Sequence, residues 1–142
     1  DFFAGNAEDT SRIEAFILDA DEPPIASGQN RAPNSMEYLL HALAGCVTTT
    51  TVLHAAARGI RIKKLTTELT GNLDLQGLLA LDDSVPVGYQ AIQIDMQIEA
   101  DCSDEELDDL LAFARDHSPV CNTVCRPVPV TVQRVKTKRQ AA

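Results

Sequence analysis

The sequence predicts an α+β domain, and three features carry that expectation. Ile92, Ile94, Met96 and Ile98 alternate with Gln93, Asp95, Gln97 and Glu99, the period-two pattern of a strand with one buried and one wet face. Behind Ser103 and Glu106, which have capping-box spacing, Leu107, Leu110, Leu111 and Ala114 recur at i, i+3, i+4 and i+7, one face of a helix. A long apolar stretch between Asn34 and Arg58 reads as another helix. Strands and helices interleave without the regular βα alternation of a doubly wound fold.

In chain order, Arg12 to Asp19 gathers Ile13, Ala15, Phe16, Ile17 and Leu18 between charged ends and reads as a strand. Pro23, Pro24, Gly28 and Pro33 make residues 21–33 a loop. Asn34, with Glu37 three residues on, opens a helix over residues 36–58, and Gly59 closes it as a C′ residue. Met36, Leu39, Leu40, Leu43, Ala44 and Val47 fall at helical spacing while the opposite side is also small or apolar, so this helix is expected in a core or an interface. Its run Thr48-Thr49-Thr50-Thr51-Val52 is β-branched and a poor helix former, so tertiary packing must hold it helical. Ile60 and Ile62, then Leu65, Thr67 and Leu69, alternate on opposite parities, which a bulge at Lys63-Lys64 reconciles. Residues 72–88 are ambiguous, broken by Gly77, Pro86 and Gly88. The segments 60–70 and 90–99 suit an antiparallel pair. The helix from Ser103 runs to about His117, with Pro119 marking its end. Val128, Val130 and Val132 alternate in a final strand whose Pro127 and Pro129 place it at an edge. The organisation expected is a single domain over residues 1–135 and a basic, disordered tail over 136–142.

A chain of 142 residues that is 44% hydrophobic suffices for one domain with a core. Its net charge is −9, but the last ten residues hold Arg134, Lys136, Lys138 and Arg139 and no acid, so residues 1–132 sum to 8 − 21 = −13. A body that acidic repels phosphate backbones, and with 4% aromatic residues and no Trp it offers little stacking surface, which argues against nucleic acid. No uninterrupted apolar run approaches the roughly 20 residues of a bilayer span. The start, Asp1-Phe2-Phe3-Ala4-Gly5, lacks a charged n-region or cleavage signature, and the absence of Met leaves any upstream targeting segment out of sight. The expectation is a soluble, cytoplasmic protein with no membrane partner.

Four cysteines, Cys46, Cys102, Cys121 and Cys125, lie 56, 19 and 4 residues apart, which gives neither a disulfide framework nor zinc-ribbon spacing. They read as free thiols. Cys46 shares a helical stripe with Leu39, Ala42 and Leu43 and follows Gly45, whose missing side chain lets a backbone or ligand approach; on position alone an inert filler is the commoner outcome. His117, Cys121 and Cys125 would stack three soft ligands on one helix face and suit zinc, but Pro119 interrupts the span and no fourth ligand is evident. His54 and His41 read as packing residues, Cys102 as structural, and the acids from Asp101 to Asp109 as a solvated helix start. No cofactor or metal is called for.

The stretch Asn34-Ser35-Met36-Glu37-Tyr38-Leu39-Leu40-His41-Ala42-Leu43-Ala44-Gly45-Cys46, then Arg58-Gly59-Ile60, then Ala100-Asp101-Cys102-Ser103-Asp104-Glu105-Glu106-Leu107 and His117-Ser118-Pro119-Val120, resembles the OsmC/Ohr family in order and over residues 30–132. The resemblance implies an antiparallel sheet wrapping a long buried central helix in an intertwined homodimer, with active sites at the dimer interface. It implies a thiol-dependent peroxidase of the oxidative stress response, which reduces organic hydroperoxides and is restored by an external dithiol. The thiolate attacks the O–O bond and becomes a sulfenic acid, and a second cysteine condenses with it to a disulfide. The nucleophile's role falls on Cys46. A mid-helix cysteine gains little from the helix dipole, so its activation needs a cation; in the family an Arg oriented by a Glu supplies it. Arg31 is the candidate, with Arg12 and Arg126 as alternatives. Glu37 is the candidate acid, one residue later than in the peroxidases, where this chain has Met36; it also reads as the N3 residue of a cap.

The second cysteine departs further. The peroxidases typically carry Cys-Pro where this chain has Ser118-Pro119, and serine cannot resolve a sulfenate. Cys121 or Cys125 has taken over, or a single cysteine works with an external thiol, or peroxide reduction is not the activity; Cys121 is the candidate for a bridge to Cys46. Leu39, Leu43 and Val47 would line an apolar approach to Cys46. Glu37 precedes Cys46 by nine residues, about 13.5 Å along one straight helix and about 180° around it, so the partner subunit is the economical route for Glu37 to reach the site. The alternative function is an OsmC-fold protein without peroxidase activity that binds a small apolar ligand at the dimer interface.

Overall fold

The computed structural model describes residues 14–134 and the backbone of residues 2–4 and 7–9. The chain forms two compact units, residues 1–39 and 40–142. In the first, β1 (Phe2–Ala4) pairs antiparallel with β2 (Ala7–Asp9), and a 3-10 turn spans Pro24–Ala26. The loop after residue 20 is organised by Asp21, whose carboxylate accepts the backbone N–H groups of Arg31, Glu22 and Gln29; these bonds, Arg31's foremost, hold it below the usual carboxylate range. Residues 14–19 form no strand, against the expectation for Arg12 to Asp19; Arg12 and Ile13 lie outside the described residues. Ile17 and Leu18 stay exposed, so their β propensity meets no apolar face of the described residues.

Helix α1 covers Ser35–Ala57. At its head the Asn34 side chain accepts the N–H groups of Met36 and Glu37, while Glu37 accepts the N–H of Asn34 at 2.8 Å, the reciprocal capping box. At its foot Gly59 has φ +73°, Ile60 N–H reaches Ala55 O and Gly59 N–H reaches Ala56 O, a Schellman closure that favours glycine at that position. Inside the helix, Thr50 and Thr51 return their hydroxyls to the carbonyls of Cys46 and Val47 at 2.8 Å, and Thr48 meets Thr67 at 2.7 Å. Each hydroxyl of this run that is turned inward is thereby satisfied.

Strand β3 (Ile62–Asn72) pairs antiparallel with β4 (Ala91–Ala100). Ile62 pairs with Ala100 but Lys64 pairs with Glu99, so Lys63 is the extra residue that puts Ile62 and Leu65 on one face. Leu69, Ile92, Ile94 and Met96 pack from this sheet against the buried Leu43 and Val47 of α1 and Cys121. Between the strands, α2 (Leu75–Leu78) is capped by Asp74. Helix α3 (Asp104–His117) opens on the Ser103–Glu106 capping box and buries Leu110 and Ala114.

The helix from Ser103 ends at His117 as expected, and two other expectations need correction. Ser118 closes α3 and at once caps α4 (Pro119–Cys125), with Pro119 in the first turn, where its missing N–H costs nothing. Val128, Val130 and Val132 form no strand and stand 51%, 83% and 92% exposed, because Pro127 and Pro129 cannot donate and no strand of the described residues pairs with them. Finally, α1 is buried on one face only within this chain. Leu43, Val47, Thr50, Thr51 and Ala55 are covered, while Val52 and Leu53 stand 47% and 64% exposed. By length and composition α1 also passes as a membrane-spanning helix, which a count of uninterrupted apolar residues missed. Leu43 and Val47 on its covered face pack on the β3–β4 sheet.

Candidate functional site

The site is built where α1 meets the α3–α4 junction. Capping fixes the junction. The Ser118 hydroxyl accepts the N–H of Cys121 at 3.3 Å as the N-cap of α4, and the residue is wholly buried. With that lone pair committed, the hydroxyl proton is directed at Cys46 Sγ, 3.1 Å away. The N–H of Val120, one of the first-turn donors that a helix cannot satisfy internally, points at the same sulfur at 3.5 Å. Cys46 is thus a half-buried thiol that accepts two hydrogen bonds, both from the head of α4.

Ser118 also links the two candidate cysteines, since its oxygen bonds to Cys46 Sγ on one side and Cys121 N–H on the other. Cys121 is buried, at 8% exposure, among Leu43 and Val47. Burial raises its thiol above the usual range, and the neighbouring Cys125 adds to the effect, while Arg115 opposes it. Cys125 lies one turn further along α4, exposed, with its sulfur 3.9 Å from that of Cys121. Both thiols line a cleft of 360 Å³ with Val47, Ile92, Ile94, Met96, Leu111 and Arg115. Leu43 lies in the core, so of the two residues expected beside Cys46 in this unit, Val47 is the one that lines a cavity.

Arg31 and Glu37 belong to the first unit and are engaged there, Arg31 through its N–H on Asp21 and Glu37 through the cap of α1. Arg126 is the C-cap of α4 and lines a smaller hollow of 220 Å³ with Arg115, Cys121 and Cys125. Arg12 lies outside the described residues. The zinc set does not assemble: His117 directs Nδ1 to Phe113 O at 2.8 Å and stacks on the Phe113 ring, and no group of three or more His, Cys, Asp or Glu gathers among the described residues. His54 packs edge-on against Phe113. Burial, with Glu106, Asp101 and Asp104 nearby, pushes the Cys102 thiol up, as suits a structural cysteine. Sequence reasoning missed the hydrogen-bonding roles of Ser118 and Val120 and the place of Arg115. The Ser-Pro pair, a cap residue followed by a first-turn proline, was the available signal for a new helix head.

A long helix on an antiparallel sheet, with a cysteine of that helix facing a second helix head, defines a class of small α+β thiol proteins. The sequence model of the family described as OsmC-like protein matches residues 28–133. The chain belongs to this OsmC-like family. Solved structures agree in fold. An OsmC-like protein from Mycoplasma pneumoniae is similar at 24% identity and a TM-score of 0.62, over 73% of this chain and 68% of that one. An organic hydroperoxide resistance protein OsmC from Legionella pneumophila is similar at 18% identity and a TM-score of 0.59, over 75% and 72%. A putative organic hydroperoxide resistance protein from Vibrio cholerae, with captopril bound in one of its active sites, is similar at 18% identity and a TM-score of 0.53, over 75% and 68%. No curated protein matches.

Proposed function

We propose that the protein is a thiol-dependent peroxidase that reduces organic hydroperoxides through Cys46. Family membership and the hydroperoxide-resistance neighbours support redox chemistry in general. The observation that carries the specific reading is the pair of donors, Ser118 Oγ–H and Val120 N–H, converging on Cys46 Sγ. Such donors suit a sulfur that carries negative charge during attack. In the reaction, Cys46 as thiolate takes one oxygen of ROOH, the O–O bond breaks, ROH leaves after protonation, and Cys46 becomes a sulfenic acid. Cys121 condenses with it, expelling water and forming a disulfide, and an external dithiol reduces that bond. In this reading Arg31 is the cation that steadies the thiolate and Glu37 the carboxylate that orients that cation, both brought to Cys46 across the homodimer.

The active form in this reading is a homodimer. Its support is the face of α1 that the described residues leave open, where Val52 and Leu53 are exposed and none of those residues lies within 4 Å of a Cβ built at Gly45. The deciding experiment is hydroperoxide consumption with a dithiol reductant, wild type against Cys46→Ser. Loss of turnover by at least about 100-fold is expected, as removal of a nucleophile requires. Undiminished turnover in the variant overturns the reading, and a wild type that consumes no peroxide yet binds an apolar ligand equally well with Cys46→Ser establishes the ligand-binding alternative. Sedimentation of an active monomer at assay concentration overturns the dimer.

A further inference from the structure

We infer that Cys121 and Cys125 form a dithiol–disulfide couple that draws oxidising equivalents from Cys46 along α4 and delivers them to an external dithiol at the protein surface. The inference rests on the peroxidase reading for its oxidant, a hydroperoxide acting at Cys46. Its geometry stands on the α4 pair itself.

The two sulfurs lie 3.9 Å apart on successive turns of one short helix. Four residues of α-helix separate Cα atoms by about 6 Å, inside the range of about 4.4–6.8 Å that a disulfide accepts. Cys125 is the last residue of α4, with Arg126 already extended, so the backbone there has freedom to adjust. Exposure differs as a relay requires. Cys121 is 8% exposed among core residues, whereas Cys125 is open to solvent, and Arg115 shares the cleft that both line. A bond between Cys46 and Cys121 would join a half-buried sulfur to a buried one, whereas one between Cys121 and Cys125 would present a sulfur at the surface.

The steps balance. Cys46 sulfenic acid and the Cys121 thiol give the Cys46–Cys121 disulfide and water. Cys125, having given its proton to solvent, attacks the Cys121 sulfur; the Cys121–Cys125 bond forms, the Cys46–Cys121 bond breaks, and Cys46 leaves as thiolate. An external dithiol then reduces the α4 disulfide and is itself oxidised to a disulfide, and Cys46 is free to attack again. Arg115, whose guanidinium is held by Asp116 at 2.8 Å, lies beside these sulfurs, and its charge opposes the rise of the Cys121 thiol while that of Asp116 adds to it. Burial and the neighbouring thiol push the Cys121 thiol up, which makes it a poorer first nucleophile toward the peroxide.

The test is one equivalent of an organic hydroperoxide, followed by alkylation and peptide mapping, on wild type, Cys125→Ser and Cys46→Ser. Wild type should end with Cys121 bridged to Cys125 and Cys46 alkylated. Cys125→Ser should stop at the Cys46–Cys121 bridge, with first oxidation at the wild-type rate and turnover with dithiol reduced roughly tenfold or more, since the exposed sulfur that would meet the reductant is gone. A wild type that stops at Cys46–Cys121, or a Cys125→Ser variant that turns over like wild type, overturns the inference. If the hydroperoxide oxidises no thiol, the peroxidase reading fails, and the couple is then judged on Cys46→Ser treated with diamide. A loss of about 2 Da, the two thiol hydrogens, mapped to Cys121–Cys125 supports the couple, and its absence overturns it.

Discussion

Ser118→Cys should convert the hydrogen bond at the heart of the site into a covalent one. Ser118 Oγ already sits 3.1 Å from Cys46 Sγ, so a sulfur in the same orientation must close by about 1 Å to reach a disulfide bond of about 2 Å. The bridge would join residues 72 apart in sequence, and the chain-entropy relation for a loop of that length gives about 4 kcal/mol of stabilisation. For a chain of this size, at about 3–4 °C per kcal/mol, the oxidised variant should melt about 12–16 °C above the reduced variant at the same protein concentration. The reduced variant should melt a few degrees below wild type, because it loses the serine cap of α4, at a cost of about 1 kcal/mol. Oxidised and reduced samples are compared by thermal unfolding after peptide mapping confirms a bridge between Cys46 and the introduced thiol. Failure of that bridge to form under hydroperoxide, or an oxidised form no more stable than the reduced one, refutes the placement of Ser118 against Cys46.

Other outcomes follow from the same structure. Gly77→Ala should destabilise by about 1–3 kcal/mol in denaturant unfolding, because its Cβ would fall 2.7 Å from Pro86 O and 2.8 Å from Val85 O, backbone atoms that cannot swing aside. The folded chain holds the protons of Cys121 and Cys102 to higher pH than the unfolded chain does, so stability should be intact at neutral pH and fall as pH rises through and beyond the ordinary thiol range; Cys121→Ala should flatten that fall in unfolding midpoints. Asp101, held below the usual carboxylate range by Lys63 and Arg61, contributes stability present above that range and lost as pH falls through its lowered value. Asp101→Asn should therefore differ from wild type at neutral pH and low salt and converge with it in acid or high salt, as an exposed pair requires.

What was legible in the sequence is what local rules determine. Both capping boxes, the Gly59 closure, the Lys63 bulge and the antiparallel pair needed only periodicity and the chemistry of helix ends. What was illegible depends on neighbours. The valines at 128, 130 and 132 have strand composition, but a strand exists only where another edge receives it, and the described chain offers none. The α1 stripe shows the same limit. Apolar residues on all sides foretell burial without saying whether this chain or another copy supplies the cover, and here the chain covers one face. For the site, Cys46 was read from the family resemblance, while the residue that touches it, Ser118, was read only as an absent cysteine. Its hydroxyl role depended on α4 beginning at Pro119, a matter of helix capping rather than of motif.

Serine at position 118 keeps the geometry of the site and removes one reaction from it. A hydroxyl holds the cap of α4 and a hydrogen bond to Cys46, but it carries no sulfur to close on a sulfenic acid. The sulfurs that remain in this unit's cleft are displaced along α4, one buried and one exposed, so in the proposed relay each further step toward the surface would move the disulfide away from Cys46. Separating those places has a chemical consequence. If Cys46 reacts with peroxide as proposed, it can stay half-buried while the reductant meets a different sulfur. The two half-reactions then need not share one opening, and Cys125→Ser should slow reduction by dithiol while leaving oxidation by peroxide untouched.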